Sequence, residues 1–189
     1  AGFYAGQAVA VRAEGNRISF RRCLITGSRN VLFLSGSGVK QYFENCFIQG
    51  TTDFICGGAT AVFKKCRLHN KSNSHITAAS TRSSIPFGFV FFDCDLTADE
   101  GLNNVSLGRP WEPNASVTYI NCVMGKHIIP EGWNNWKNPH NEATARFAEY
   151  KSSGSGSNAS ERVKWSRQLT DSEVKKYTLQ NILGNWIPK

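Results

Sequence analysis

An aromatic residue followed three positions later by a cysteine occurs five times in this chain, and this repeat limits the possible folds more than any other feature. The pairs are Phe20 with Cys23, Phe43 with Cys46, Phe63 with Cys66, Phe91 with Cys94, and Tyr119 with Cys122. Successive cysteines lie 23, 20, 28 and 28 residues apart. Periods of roughly 20 to 50 residues are typical of solenoids, in which each repeat forms one structural unit.

Short apolar runs bounded by Gly, Asn, Ser or Pro recur within the repeats, for example residues 8–11, 61–63, 89–91 and 117–120. Their length, their alternation and the frequent breakers between them predict strands and turns rather than helices. Stacked coils of this kind form a parallel β-helix, in which each coil buries its inward side chains against its neighbours. The sequence therefore predicts an all-β solenoid.

The composition fits one domain of this class. The 189 residues are 40% hydrophobic and include 17 glycines and 12 phenylalanines, which suits a turn-rich β body. We expect coils over residues 1–150, followed by an extended loop and a C-terminal helix of the same domain over residues 151–189. Residues 151–160 are compatible with a flexible linker or with an ordered loop along the solenoid.

The C-terminal helix is predicted from its start and stop signals. Thr170 and Glu173 have the spacing of a capping box, and Leu169 with Val174 fits a hydrophobic staple. Gly184 is a typical stop residue. We expect a helix over about residues 171–183 that packs its apolar side on the flank of the solenoid.

Six cysteines allow two interpretations. An even number is compatible with a disulfide framework. However, five of the six occupy the same phase of the repeat, with only Cys56 out of phase. Residues in one phase stack at about the 4.8 Å strand spacing, so a ladder of buried free thiols is favoured over disulfides.

The formal net charge of +8 favours an anionic partner, either nucleic acid or an acidic polysaccharide. The basic residues are scattered and form no nucleic-acid motif, so no nucleic-acid partner is predicted. No apolar run approaches the roughly 20 residues of a membrane helix, so no membrane partner is predicted either.

One acidic residue stands out within the repeat. Asp53 follows Gly50 and precedes an apolar pair and a double glycine, a setting that suits a nucleophile or general acid. Considered alone, it is better explained as a turn residue that caps its own loop. In the preceding repeat its counterpart is Asn30, seven residues after Cys23 as Asp53 is seven after Cys46.

Several motifs in order resemble those of the pectin methylesterases, the bacterial members in particular. They are Gln-Ala-Val-Ala-Val from residue 7, Gly-Thr-Thr-Asp-Phe-Ile from residue 50, Leu-Gly-Arg-Pro-Trp from residue 107, and segments 125–133 and 168–170. The resemblance covers essentially the whole chain but lacks the family's N-terminal portion. The chain begins within a repeat and without Met, so we expect that upstream coils were removed or belong to another chain. Such an uncapped first coil invites self-association.

The resemblance implies a right-handed parallel β-helix with a surface cleft that hydrolyses methyl esters of homogalacturonan. It also implies a secreted, periplasmic or cell-surface location, pectin or polygalacturonate as the partner, and neither cofactor nor metal. Asp53 matches the family's nucleophile, Arg109 the arginine that holds it ionised, and Gln7 an oxyanion donor.

Further residues are expected to contact the sugar. Trp111 matches an aromatic residue that packs on it, and Phe33, Phe54, Trp133 and Thr77 are the other expected contacts. Trp136 is considered but not favoured, because large aromatic residues are more often buried. His69 and His75 lack partners at ligand spacing, so no metal site is predicted there.

The sequence departs from the family at two positions. Its usual Gln-Asp-Thr-Leu-Tyr segment aligns with residues 29–33, so the general acid/base has become Asn30 and an oxyanion glutamine has become Arg29. An amide cannot deliver a proton to methoxide, and losing general acid catalysis typically costs about 10²- to 10⁴-fold in rate.

Three functions follow from this departure. The first is a pectinesterase with weakened activity. The second is a silenced homologue that binds pectin through Arg29, Arg109 and Trp111, and the third, less favoured, is a structural solenoid. Residues 30 and 53 are expected about 4.8 Å apart on consecutive coils.

Overall fold

Strands stacked in parallel form the body of the protein in the computed structural model, which describes residues 9–188. The strands, numbered along the chain, form three parallel sheets within these residues. The first sheet contains, in spatial order, β1 (Val11–Ala13), β4 (Leu32–Leu34), β7 (Ile55–Gly57), β10 (His75–Ala79) and β13 (Ser106–Pro110).

The other two sheets repeat this order. The second contains β2 (Ile18–Arg21), β5 (Lys40–Glu44), β8 (Thr60–Lys64), β11 (Phe89–Phe92), β14 (Ser116–Ile120), β16 (Arg146–Tyr150) and β17 (Arg167–Gln168). The third contains β3 (Leu24–Thr26), β6 (Phe47–Gly50), β9 (Arg67–Asn70), β12 (Asp95–Ala98) and β15 (Val123–Met124). Because each of the first five coils adds one strand to each sheet, and β16 and β17 continue the second sheet, the predicted parallel β-helix is confirmed.

The aromatic residues of the repeat form one continuous stack inside the second sheet. Phe20, Phe43, Phe63, Phe91 and Tyr119 are paired in register on consecutive strands. Their ring centroids lie 4.9, 4.8, 4.6 and 4.4 Å apart along the stack, with nearly parallel planes. The spacing equals the distance between strands, which is why the sequence repeats the aromatic residue once per coil.

A sharp corner separates this stack from the cysteines. The residue before each repeat cysteine has a left-handed backbone, with φ between 52° and 54° at Arg22, Asn45, Lys65, Asp93 and Asn121. The backbone amide of each donates to a carbonyl of the following coil, as from Asn45 to Lys64 at 3.0 Å. The corner turns the chain from the second sheet into the third once per coil.

All six cysteines are free, and the four of the inner coils are buried in the column that begins at Cys23. The Cys66 thiol approaches the Phe43 carbonyl at 3.6 Å, and the Cys94 thiol approaches the Phe63 carbonyl at 3.5 Å. These contacts repeat along the column and fill a narrow interior corner. The thiol ladder is therefore confirmed, and a disulfide framework is not formed.

The C-terminal segment differs from the prediction of one helix over residues 171–183. Thr170 and Glu173 do form the capping box, with the Thr170 amide donating to Glu173 Oε2 at 2.8 Å and the Glu173 amide donating to Thr170 Oγ1 at 3.2 Å. Only a short 3-10 turn, Val174–Lys176, follows. Tyr177 then leaves the helical region, with φ −89° and ψ 65°.

Packing of Tyr177 explains this break. Its ring lies edge-on to Phe87 with centroids 5.4 Å apart. A new helix, α2 (Leu179–Leu183), begins after Thr178, whose Oγ1 accepts from the Asn181 amide at 3.1 Å, and ends at Gly184 as predicted. Its buried residues Ile182 and Leu183 pack on the outer side of the second sheet, together with Tyr42, Val62, Val90 and Ile120.

The solenoid does not end at residue 150. Strand β17 extends the second sheet to Gln168, and residues 151–160 lie along the coils rather than as a free linker. Ser153 bridges to Val123, and the Gly156 amide donates to the Met124 carbonyl at 3.0 Å.

The remaining short helices are α1 (His140–Thr144) and a 3-10 turn at Ala159–Glu161. Within residues 9–188 no helix is long and apolar enough to span a membrane.

Candidate active site in a cleft over the first sheet

A cavity of about 350 Å³ lies over the outer face of the first sheet. It is lined by Val9, Arg12, Arg29, Asn30, Phe33, Asp53, Ala78, Trp111 and Trp136. The β-helix brings these residues together by stacking, since positions 12, 33, 56, 78 and 109 are aligned in register on consecutive strands. Residues separated by up to about a hundred positions in sequence thus share one surface.

Asp53 and Arg109 form a bidentate ion pair at this cavity. Arg109 Nε donates to Asp53 Oδ1 at 3.0 Å, and Arg109 Nη2 donates to Asp53 Oδ2 at 2.6 Å. The Asp53 side chain is only 3% exposed and that of Arg109 is 17% exposed. The carboxylate thus bonds to a distant guanidinium rather than capping its own turn. A guanidinium in this geometry favours the ionised carboxylate and fixes its orientation.

The pair crosses one intervening coil. Asp53 precedes β7, Arg109 lies on β13, and β10 lies between these strands in the sheet. The position of β10 that is in register with Arg109 is Ala78, which is buried and lines the cavity. Two strand spacings measure about 10 Å, a distance that a long arginine can span if the residue between is small.

Trp136 also contacts the guanidinium. The Arg109 Cζ lies 3.6 Å from the centroid of the Trp136 ring. Cation–π contacts of this kind are attractive, so the tryptophan helps to hold Arg109 while the carboxylate bonds to its Nε and Nη2. Trp136 has a left-handed backbone with φ 61° and reaches the cavity from the loop after β15. The sequence analysis did not favour Trp136, because nothing in the pattern around it indicates this contact.

Asn30 occupies the position equivalent to Asp53 on the preceding coil, as predicted. Both have left-handed backbones, with φ 53° and 48°. The backbone N–H of Asn30 donates to the Thr52 carbonyl at 3.2 Å. Asn30 Nδ2 donates to the thiol sulfur of Cys56 at 3.2 Å, while its Oδ1 is buried without a partner among the described residues. Burial raises the pKa of the Cys56 thiol to about 11, so this thiol is neutral at ordinary pH.

Arg29 lies at the rim of the cavity and is exposed. Within residues 9–188 it forms no ion pair, so it does not compete with Arg109 for Asp53. Trp111 is 44% exposed, and its ring lies edge-on to Phe33 with centroids 6.1 Å apart. These two rings form an apolar wall beside the carboxylate. Gln7, the expected oxyanion donor, lies outside the described residues.

Three expected sugar contacts are buried and do not line the cavity, so these predictions are wrong. Phe54 has no exposed surface and belongs to the core. Thr77 is fully buried, and its Oγ1 donates to the Leu107 carbonyl at 3.0 Å. Gly108 packs on this hydroxyl so closely that a Cβ at residue 108 would lie 2.0 Å from Thr77 Oγ1. Trp133 is 2% exposed, with its ring stacked on Phe147 at 4.4 Å.

The two histidines considered as metal ligands lie on different sheets. His69 bonds to Thr97 Oγ1 and Asp99 Oδ1, each at 2.9 Å, on the third sheet. His75 is in register with Ser106, whose Oγ lies 2.7 Å from His75 Nδ1. Burial, reinforced by the charge of Arg109, lowers the pKa of His75 to about 4. Within residues 9–188, no cluster of three or more potential ligands is suited to a metal ion.

A wider groove of about 750 Å³ continues the cleft on the other side of Phe33 and Trp111. It is lined by residues at and beyond the ends of the first-sheet strands, including Gly57, Gly58, Ser80, Arg82 and Asn114. The small cavity and the groove share the two aromatic rings. Together they form one continuous depression across the first-sheet strands, which suits an extended chain better than a small compact molecule.

Comparison with known proteins shows which family has this parallel β-helix. The pectinesterase family profile matches residues 1–185. Pectinesterase 31 of Arabidopsis thaliana is 42% identical over 170 residues, covering 89% of this chain and 53% of that protein. Putative pectinesterase 11 of the same plant is 37% identical, covering 97% of this chain and 52% of that protein.

Solved structures give the same result. A pectin methylesterase from carrot superposes with a TM-score of 0.90 at 28% identity, over 98% of this chain and 63% of that one. A pectin methylesterase from Aspergillus niger superposes with a TM-score of 0.84 at 30% identity, over 96% of this chain and 59% of that one. This chain belongs to the pectinesterase family. It spans about half the length of its Arabidopsis relatives, and a particular similarity to bacterial members is not confirmed.

Proposed function

We propose that this chain carries the active site of a pectin methylesterase that acts on the methyl esters of homogalacturonan, with Asp53 as the nucleophile and with weakened activity. The observation that carries the proposal is the bidentate Asp53–Arg109 pair in the aromatic-walled cavity. The family membership supplies the substrate class. Pectin is therefore the proposed partner, and a secreted, periplasmic or cell-surface location follows from the position of that polymer.

The proposed reaction has two steps. An Asp53 carboxylate oxygen attacks the ester carbonyl carbon, and collapse of the tetrahedral intermediate breaks the bond to the methoxy oxygen. Methoxide takes up a proton and leaves as methanol, and a mixed anhydride remains between Asp53 and the uronate. Water hydrolyses this anhydride, which restores Asp53 and releases the free uronate. Arg109 orients the nucleophile and favours its charged form throughout.

Weakened activity follows from the residues that surround Asp53. No second carboxylic acid lines the cavity in the part of the chain that the structure describes, and Asn30 occupies the equivalent position on the preceding coil. An amide has no proton of suitable acidity for a departing methoxide, so water must supply it. The expected cost is about 10²- to 10⁴-fold in rate relative to a site with a positioned acid.

A second candidate is a silenced homologue that binds pectin without cleaving it. Arg29 favours this candidate, because an exposed guanidinium with no ion pair in the described residues is available to an anionic polymer. Both candidates use the same cleft. They differ only in whether the ester bond is broken.

Methanol release from highly methylated pectin separates the two candidates. We expect slow release by the natural chain and none by Asp53→Asn. The matched control is Asp93→Asn, since Asp93 has the same left-handed backbone but is exposed at a corner remote from the cleft. Methanol release that survives Asp53→Asn would refute the assignment of Asp53 as the nucleophile. Release as fast as that of a pectinesterase with a second catalytic carboxylic acid would refute the proposal that activity is weakened. No release above that of Asp53→Asn would establish the silenced homologue.

A further inference from the structure

The charges around the cavity are unbalanced. Among the described residues, three guanidiniums, from Arg12, Arg29 and Arg109, line it together with a single carboxylate, that of Asp53. Arg109 is committed to Asp53 through two hydrogen bonds. The cavity therefore retains positive charge after this pair has formed.

Arg12 and Arg29 differ in their availability. Arg12 pairs with exposed Glu14 at 2.6 Å, and its guanidinium lies over the Phe33 ring, 5.1 Å from the centroid. Arg29 forms no ion pair within residues 9–188. Among the described residues, Arg29 is thus the cation of the cavity that remains free to bind a ligand.

A methyl ester and a free uronate present different chemistry to this residue. The ester is neutral and offers a guanidinium only weak acceptors, whereas the carboxylate is an anion that matches the planar fork of arginine. A neutral glutamine at this position would not discriminate by charge. The arginine therefore determines which form of the sugar the site favours.

We propose that Arg29 makes this cavity a binding site for the free carboxylate of galacturonate, so that the cleft holds the de-esterified polymer more tightly than the methylated one. This inference rests on the proposed function for the sugar class. It adds a preference for the product over the substrate. Strong retention of product would slow turnover further and would keep the protein attached to demethylated regions of pectin.

The test compares trigalacturonate with its fully amidated counterpart, which is neutral and is not cleaved by ester hydrolysis. Binding is measured by calorimetry at low ionic strength for the natural chain, Arg29→Gln and Arg29→Lys. The matched control is Arg22→Gln, an exposed arginine at a corner outside the cleft. Circular dichroism verifies that each variant is folded.

We expect the natural chain to prefer the acid about tenfold. Arg29→Gln should reduce this preference about fivefold by weakening binding of the acid alone, the upper range for an exposed ion pair. Arg29→Lys should keep part of the preference, and Arg22→Gln all of it. Added salt should reduce the preference of the natural chain toward that of Arg29→Gln.

An unchanged preference in Arg29→Gln, or tighter binding of the amide by the natural chain, would overturn the inference. Methanol release by the natural chain would then still support the proposed function. Binding of neither trimer would overturn the shared substrate class and this inference with it.

Discussion

Arg109 bonds to Asp53 across an entire intervening coil of the β-helix, whose residue in register with Arg109 is the small Ala78. The two residues are 56 positions apart in sequence, and their strand positions are separated by β10. Ala78 is almost completely buried and lines the cavity that holds the pair. We therefore expect the geometry of this ion pair to depend on the size of a residue that bears no functional group.

Enlarging residue 78 should therefore break the pair. In Ala78→Leu the added side chain fills the space that the arginine crosses, so we expect methanol release to fall more than about tenfold through misplacement of Asp53. Ala78→Ser adds only a hydroxyl and should keep most of the activity. Initial rates and circular dichroism of both variants test this. Full activity in a folded Ala78→Leu would show that the Asp53–Arg109 pair does not require a small residue at position 78.

Restoring the family's residues should raise hydrolysis. Asn30→Asp with Arg29→Gln supplies a carboxylic acid beside Asp53, and we expect an increase of about 10²- to 10⁴-fold in methanol release. Asn45→Asp is the control, because Asn45 has the same left-handed backbone at a corner away from the cleft. No gain in the double variant, with folding intact, would mean that the missing acid does not limit the rate.

The buried pair of Arg162 and Glu149 should matter for stability. Their side chains are 3% and 2% exposed, and Arg162 Nε donates to Glu149 Oε1 at 2.8 Å. Arg162→Ala leaves the buried Glu149 carboxylate without its charged partner, with only Trp133 Nε1 still donating to it, and should lower the free energy of unfolding by about 3–5 kcal/mol. The exposed Arg167 pairs with Glu173, and Arg167→Ala should cost no more than about 1 kcal/mol. Urea denaturation measures both, and equal losses would contradict the argument.

Acid should destabilise the protein through His127. This residue is 3% exposed, its Nε2 has no partner within residues 9–188, and burial, aided by His69, lowers its pKa to about 4. In the unfolded chain a histidine has a pKa near 6.5. Between these values the unfolded state binds more protons, so stability is retained above about pH 6.5 and is lost as the pH falls toward 4.

Replacing His127 isolates its contribution. His75 has the same lowered pKa, so His127→Gln should remove about half of the pH dependence between pH 6.5 and 4. The exposed His140 provides the control, and His140→Gln should leave the change of unfolding free energy with pH as it is in the natural chain. Unfolding free energies at several pH values test this. If the unfolding free energy of His127→Gln depends on pH as that of the natural chain does, the loss of stability in acid is due to other groups.

The sequence predicted the parts of the structure that repeat. Phe43, Cys46 and their equivalents recur because each coil places the same residue in the same environment, so the period, the stacking and the free thiols follow from spacing alone. The equivalence of Asn30 and Asp53 follows in the same way, since one register relates their strands. The capping box and the stop at Gly184 were also predictable, because both are local signals.

What could not be predicted depends on contacts between coils and loops. Trp133 and Trp136 are three residues apart, yet one is stacked in the core and the other lies under Arg109, because a left-handed turn at Trp136 redirects the chain. Phe54 and Thr77 adjoin the site in sequence but face the interior.

The sequence by itself thus determined the solenoid and the equivalence of positions 30 and 53 on consecutive coils, since in a periodic fold the spacing of residues determines which positions stack. Only the tertiary structure decided which side chains face the cleft, that Ala78 lies in register with Arg109 at the cavity, and that Asp53 pairs with Arg109 rather than with Arg29. The reason is physical: spacing fixes which positions stack on one another, whereas packing between neighbouring coils and loops decides where each side chain points.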